Sequence, residues 1–352
     1  MSSNSFGKNL KITTFGESHG KAMGVIIDGC PAGLPISLEY INNIMKERRP
    51  AQSKYTTKRA ELDEVEILSG VYQSKTLGTP ITLVVFNKDT KSEDYDNLTH
   101  NFRPSHADYT WFNKFEHIDH RGGGRSSARE TVARVAASAI AYKILEQHNI
   151  QVYGFMSSIY DTPINYNNLD YSFINKNPFY SPDSSIIEAW EKILDETIAE
   201  GDSVGGAIDL HIKGSPVGLG NPVFDKLNSR LAQAIFSIPA VKGVEFGAGF
   251  EISKMKGSQA NDSIYAKNGK VGFKTNHNGG ILGGISNGDD IIIKIAMKPT
   301  SSISKPQQTI NSKLENITLE VKGRHDPCVA IRAISVCKAM CALVIADFLL
   351  ES

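Results

Sequence analysis

Apolar residues along the chain fall into two interleaved patterns. Runs of strand length, several alternating apolar with polar, occupy 10–15, 25–28, 65–72, 80–86, 152–158, 205–212, 244–250 and 290–297. Between them lie stretches with helical spacing. Ser37 precedes one whose face is Leu38, Ile41, Ile44 and Met45; it ends in Lys46, Glu47, Arg48 and Arg49, and Pro50 stops it. Further helices are predicted over 109–115, 131–148, 186–199, 224–236 and 328–350. The stretch 161–185, rich in Asn, Pro, Ser and Tyr, reads as a surface excursion and the best candidate for a boundary. Glycine turns before the strands at Pro80, Gly205 and Gly288 raise the expectation of two internally similar halves.

The most distinctive stretch is Arg121-Gly122-Gly123-Gly124-Arg125-Ser126-Ser127-Ala128-Arg129-Glu130-Thr131. Ser127 and Glu130 have the spacing of a capping box at the start of the 131–148 helix. A helix start offers unpaired N–H groups and partial positive charge, glycines admit a ligand to the backbone, and arginines match phosphate or carboxylate geometry. An anion site and an ordinary capped turn with solvated arginines are both compatible with these residues alone.

Composition narrows the choice. The chain has 352 residues, 40% hydrophobic and 22% charged, enough for a sizeable core in one large domain or two. Its 38 basic and 38 acidic residues balance, which argues against a general nucleic-acid binder and points local arginine clusters toward small anions. Four cysteines, Cys30, Cys328, Cys337 and Cys341, are too few for a disulfide framework and lack zinc spacing, so reduced core thiols and no metal are expected. The first residues have no apolar stretch of signal-peptide type, and no apolar run is long enough to span a bilayer. A cytoplasmic protein without membrane partners is expected.

The remaining polar loops carry candidate chemistry. Residues 51–60 are basic, with Lys54, Lys58 and Arg59, and read as a solvated loop or a flap over an anion. His106 lies between Arg103 and Asp108 and can be a proton-active group, although His117 and His120 compete for that role. Lys298-Pro299-Thr300-Ser301-Ser302 places a cation and three hydroxyls at a strand end. Asp326 before Pro327 has the form of an N-cap and N1 pair, and could equally relay a proton between Arg324 and His325.

Three segments in one register, Gly16-Glu17-Ser18-His19-Gly20, Gly124 to Thr131, and Arg324-His325-Asp326-Pro327-Cys328, resemble the signatures of the chorismate synthase family. The 103–108, 279–284 and 298–302 segments also resemble family sequence, and the likeness runs from about Gly7 to the C-terminus. It implies an α+β fold in which helices lie between two antiparallel sheets, a β-α-β sandwich, within one domain spanning 1–352. The residue patterns alone do not separate this from an ordinary α/β fold. It implies a lyase converting 5-enolpyruvylshikimate 3-phosphate to chorismate and phosphate by 1,4-anti elimination, in the shikimate pathway of aromatic amino acid biosynthesis. Reduced FMN would supply electron density transiently as phosphate leaves and then help remove the ring hydrogen, with NADPH a candidate reductant. A homotetramer is implied.

By the same resemblance, Arg125, Ser126, Ser127, Pro239, Ala240, Gly283, Lys298, Pro299, Thr300, Ser301, Ser302 and Arg324 would bind FMN. Arg48, Lys54, Arg103 and Arg129 would hold substrate anions, with Arg48 also at the position linked to NADPH. His19 would protonate the departing phosphate. His106 would protonate the flavin-side charge or stabilise the reduced flavin, and Asp326 would take a proton at flavin N5. Two positions depart from the usual pattern: Lys54 stands where relatives often have Arg, and Pro239 where they often have Asn or Gln. A flavin-dependent oxidoreductase and a non-catalytic phospholigand-binding protein are the rival readings.

Overall fold

A helix buried on every side must be a middle layer, and there are two among the described residues. In Thr131–Gln147 and Ala330–Leu349 the buried positions run all round the helix; within the latter only Arg332 and Lys338 escape burial. Both are rich in alanine, whose small side chain lets two helices and two sheets approach closely. The computed structural model describes residues 3–49, 54–55, 63–87, 100–119, 121–321 and 326–351.

Five antiparallel strands form the first sheet: β1 (Ser5–Phe6), β2 (Lys11–Phe15), β3 (Ala22–Asp28), β4 (Val65–Ser69) and β5 (Ile81–Phe86), in the order β1-β2-β3-β5-β4. The second sheet holds β6 (Gln151–Ile159), β7 (Thr162–Pro163), β8 (Gly206–Lys213), β9 (Val241–Phe246) and β10 (Ile291–Met297), in the order β9-β10-β8-β6-β7. The helices are α1 (Leu38–Lys46), α2 (Asp108–Phe115), α3 (Thr131–Gln147), α4 (Ile187–Ala199), α5 (Leu227–Phe236) and α6 (Ala330–Leu349). Met23, Val25, Ile27, Ile81 and Leu83 of the first sheet, and Ile208, Leu210, Ile212, Ile291 and Ile293 of the second, alternate along their strands and are buried. Helix α3 packs on β3 and β5, α6 on β6 and β8, and the two helices on each other. The result is the expected sheet–helix–sheet sandwich.

Beside each sheet a loop is tied to a short hairpin by the same pair of hydrogen bonds. Thr76 Oγ1 donates to Pro31 O (2.6 Å) and accepts from Leu34 N (2.9 Å). Ser286 Oγ donates to Pro216 O (2.6 Å) and accepts from Leu219 N (2.9 Å). In each half a strand, a turn and a helix (β3 and α1, β8 and α5) are followed by a short hairpin and the next central strand, β5 or β10.

Both central helices start at the same end of the sandwich. The segment leading into β2 is held at the end of α6, where Asp347 accepts the N–H groups of Lys8, Asn9 and Leu10 (3.0, 2.7 and 2.8 Å). The other end of β2 meets the segment that opens α3, through Arg125 and Thr14 Oγ1 (2.8 Å). Helix starts carry partial positive charge, so this end suits anions.

Local details differ from the sequence reading. Ser127 accepts only from Arg129 N (3.4 Å) and caps a 3-10 turn, Ala128–Glu130, that precedes α3. Glu130 pairs with Arg134 (2.9 Å) while Ser127 N bonds Gly124 O, so no capping box forms. Asp326 is not a helix cap: α6 starts at Ala330, and the carboxylate pairs with Arg332 at 2.9 Å. Stretch 161–185 is no linker, since Phe179, Ser181 and Asp183 are buried and Tyr166 and Tyr171 bond Asp209 and His211 of β8. The four thiols are free and buried, and burial pushes those of Cys328 and Cys337 up to about 12. Among the described residues, no group of His, Cys, Asp and Glu is placed to hold a metal ion, and no helix is long and apolar enough to cross a membrane.

Candidate active site

The glycine loop is the centre of the site. Gly122, Gly123 and Gly124 all have positive φ (59°, 82° and 52°), so the chain coils tightly before α3 with no side chain between it and its neighbours. A Cβ on Gly122 would run into the His19 ring, and a Cβ on Gly123 would lie 3.6 Å from Cε1 of His106. Two histidines 87 positions apart are thus brought to adjacent glycines of one loop.

His19 is 7% exposed and sits in the turn between β2 and β3. Its Nδ1 is 3.1 Å from Ser18 Oγ, which lies 3.3 and 3.2 Å from the carbonyls of Arg121 and Gly122. The hydroxyl gives its hydrogen to a carbonyl and accepts from His19 Nδ1, or donates to Nδ1, according to the ring's tautomer. Asn87 steadies the same turn by donating to Glu17 O (3.2 Å) and Gly20 O (2.8 Å).

His106, Arg103 and Asp108 form a compact triad. Asp108 Oδ1 is 2.6 Å from His106 Nδ1, and Arg103 donates to Asp108 through Nε (2.8 Å), Nη2 (2.8 Å) and its backbone N–H (3.1 Å). Burial alone would raise the Asp108 pKa, but hydrogen bonds from Arg103 and His106 outweigh it and hold the carboxyl well below the usual range. The segment after β10 holds this turn. Lys298 Nζ and Ser301 Oγ donate to Ser105 O (2.5 and 3.0 Å), Arg103 Nη1 reaches Ser302 Oγ (3.5 Å), and Thr300 Oγ1 donates to Asp326 O (2.8 Å). Burial, with the nearby charge of Lys242, lowers the Lys298 pKa.

Several other residues named as FMN-binding candidates lie in or beside this cluster. Ala240 O accepts from Lys298 N (2.9 Å), which brings Pro239 and Ala240 beside Lys298 and Pro299. Arg125 reaches Thr14, Gly16 O (3.3 Å) and Asn4 Oδ1 (3.1 Å). Ser126 Oγ donates to Gly123 O (2.7 Å). A cavity of about 320 Å³ borders the glycine loop, with Phe102, Trp111, Phe112 and Phe115 on its walls together with Arg125 and Ser126. His19, His106, Lys298 and Asp326 do not line it, so the site is defined by the loop and its cluster, with the cavity as one side of it.

Other expected residues are placed elsewhere. Gly283 is in the hairpin turn that precedes β10, whereas Lys298 follows that strand. A seven-residue strand spans roughly 20 Å, so the two lie at opposite ends of it within this chain. Lys54 pairs with Asp195 of α4 (3.1 Å) and lies over the Tyr55 ring. Arg48 and Arg129 are joined by a carboxylate that sequence reasoning missed: Asp63 Oδ2 is 2.9 Å from Arg48 Nη1, and Oδ1 is 2.7 Å from Arg129 Nη1. Arg48 also bonds Thr131 Oγ1 (3.1 Å) and Ala128 O (3.2 Å), and Arg129 bonds Asn87 Oδ1 (3.1 Å). Arg324, His325, His120 and most of the 51–60 flap lie outside the described residues. Asp108 had a signal, two places after His106; Asp63 and Asn87 had none, because their partners come from distant elements.

Comparison with known proteins shows the family. The family model described as chorismate synthase matches residues 10–350. A chorismate synthase of Lachnospira eligens is 48% identical over 352 residues, covering 100% of this chain and 96% of its own. One from Francisella tularensis subsp. holarctica is 50% identical over 350 residues, covering 99% and 98%. A crystal structure of a chorismate synthase superposes with a TM-score of 0.78 at 32% identity, covering 98% of this chain and 93% of that one.

Proposed function

Because this chain belongs to the chorismate synthase family, we propose that the glycine loop and the cluster around it are where its reaction takes place. The chain is a carbon–oxygen lyase of the shikimate pathway: it eliminates phosphate from 5-enolpyruvylshikimate 3-phosphate to give chorismate, in a family dependent on reduced flavin. The observation that carries the site is the meeting of His19 and His106 at Gly122 and Gly123.

The flavin is read as FMN, against Arg125, Ser126 and Ser127 on one side and Pro239, Ala240 and Lys298 through Ser302 on the other. What supports this is the pairing of an aromatic-walled cavity, suited to a flat ring, with cations and hydroxyls suited to a phosphate. Bound reduced FMN would supply electron density as phosphate leaves, with no net redox change. The chain's own residues would do the rest. Arg103 holds a substrate anion beside His106. His19, with Nδ1 on Ser18, presents Nε2 as the atom that delivers a proton to the leaving phosphate. His106 offers Nε2 to the developing charge, and Asp326, held by Arg332, is the proton acceptor. Arg48 and Arg129 take part in binding substrate or NADPH if a ligand anion replaces Asp63, with Lys54 as an outer cation, and Arg324 is read with the FMN-binding residues. The family resemblance supports a cytoplasmic homotetramer, and the matched hydrogen bonds support one domain of two similar halves.

The test is anaerobic: purified protein, chemically reduced FMN and 5-enolpyruvylshikimate 3-phosphate, following chorismate absorbance and phosphate release. Equal amounts of both, with the flavin still reduced, are expected. Flavin binding without product would overturn the reading. Repeating it in air with NADPH and oxidised FMN shows whether the chain reduces its own flavin.

A further inference from the structure

His106 and Arg103 both rely on one carboxylate. Asp108 Oδ1 is 2.6 Å from His106 Nδ1 and 2.8 Å from Arg103 Nη2, and those two nitrogens are only 3.1 Å apart. Neither could donate to the other if both carry hydrogen, and both bear positive charge when the ring is protonated. The shared oxygen makes the close approach favourable. Arg103 binds the carboxylate through both Nε and Nη2, and the backbone N–H of Arg103 adds a third donor, so Asp108 has one orientation. It is also the first residue of α2, where the helix start favours a negative charge.

We propose that Asp108 is a positioning residue for the elimination: it fixes the His106 ring and its tautomer, with hydrogen on Nδ1, so that Nε2 is the nitrogen presented to the reacting groups. An acceptor-only carboxylate at 2.6 Å requires an N–H at Nδ1. Cε1 is turned toward Gly123, 3.6 Å from where a Cβ at that position would lie. Asp108 acts through His106 and makes no contact with substrate that this role requires. The inference rests on the role given to His106 above.

A double-mutant cycle separates the two. Chorismate formation is measured with saturating reduced FMN for the full chain, for Asp108→Asn, for His106→Ala and for both together. The expected result is a fall in kcat of at least tenfold in each single variant, a change in KM under threefold in Asp108→Asn, and no further loss from adding Asp108→Asn to His106→Ala. In parallel, 15N NMR of the histidine ring reads the tautomer, which should leave Nδ1–H in Asp108→Asn. If His106→Ala keeps turnover, the role of His106 fails. If His106→Ala loses turnover but the two losses multiply, or the ring stays Nδ1–H in Asp108→Asn, the positioning role of Asp108 fails. Should Asp108→Asn not fold, Arg103→Lys, which frees one side of the carboxylate but leaves its charge, must still keep the Nδ1–H signal; its loss would equally overturn the inference.

Discussion

Gly122 and His19 are packed so closely that no side chain fits between them: a Cβ at position 122 would occupy the imidazole's own volume. The loop backbone is therefore the surface that seats the ring. Gly122→Ala should cut chorismate formation by tenfold or more by displacing His19. The positive φ of 59° adds about 1–2 kcal/mol of backbone strain, which must be separated from ring displacement. Gly33→Ala is the control, because Gly33 has φ 82° with nothing within 4 Å of its added Cβ. That variant should lose similar stability and keep its activity; equal activity losses in the two would sink the seating argument.

Asp63 is fully buried between Arg48 and Arg129. Removing one partner of a buried ion pair leaves uncompensated charge and costs about 3–5 kcal/mol. Asp63→Asn should lower the midpoint of thermal unfolding by several degrees. It also frees both arginines, so substrate KM tells whether they bind ligand. An unchanged KM in the folded variant would mark them as clamps for the start of α3 alone.

Asp326 faces Arg332 and anchors Thr300 through its carbonyl. Asp326→Asn keeps the carbonyl and the size of the side chain but loses the proton acceptor. Turnover should fall more than tenfold while FMN affinity, read by flavin fluorescence, stays within threefold. Near-normal turnover would remove Asp326 from the reaction.

Acid stability should depend on His211. Burial first, and then the charges of Lys213 and Lys294, push its pKa down from 6.5 to about 4. The folded state thus binds its proton less readily than the unfolded chain. Above pH 6.5 neither form is penalised; as pH falls from 6.5 toward 4 the unfolded state gains a proton that the folded state refuses, and stability drops. The full difference corresponds to about 3 kcal/mol. Denaturant melts at pH 7 and pH 4 should show a loss larger by about that amount in the native chain than in His211→Gln. Parallel losses in both would show that other groups govern acid unfolding.

The sequence by itself determined the elements and the family. Strand alternation places β2, β5 and β10 within a residue or two, Ser37 does cap α1 through Tyr40 N (3.1 Å), and three long motifs in one register carry the family resemblance. These signals are local, since a period, a cap or a contiguous motif needs only neighbouring residues. Tertiary structure decided what is shared between distant segments. That α3 and α6 are buried all round follows from each having a sheet on one side and the other helix on the other, which periodicity cannot report. Whether Asp326 caps or pairs depended on where α6 begins and where Arg332 falls. The Asp63 bridge joins Arg48 to Arg129, 81 positions apart, and the seat of His19 on Gly122 joins residues 103 apart. Such contacts form because packing two sheets around two helices brings their ends together, and no single stretch of chain contains that geometry.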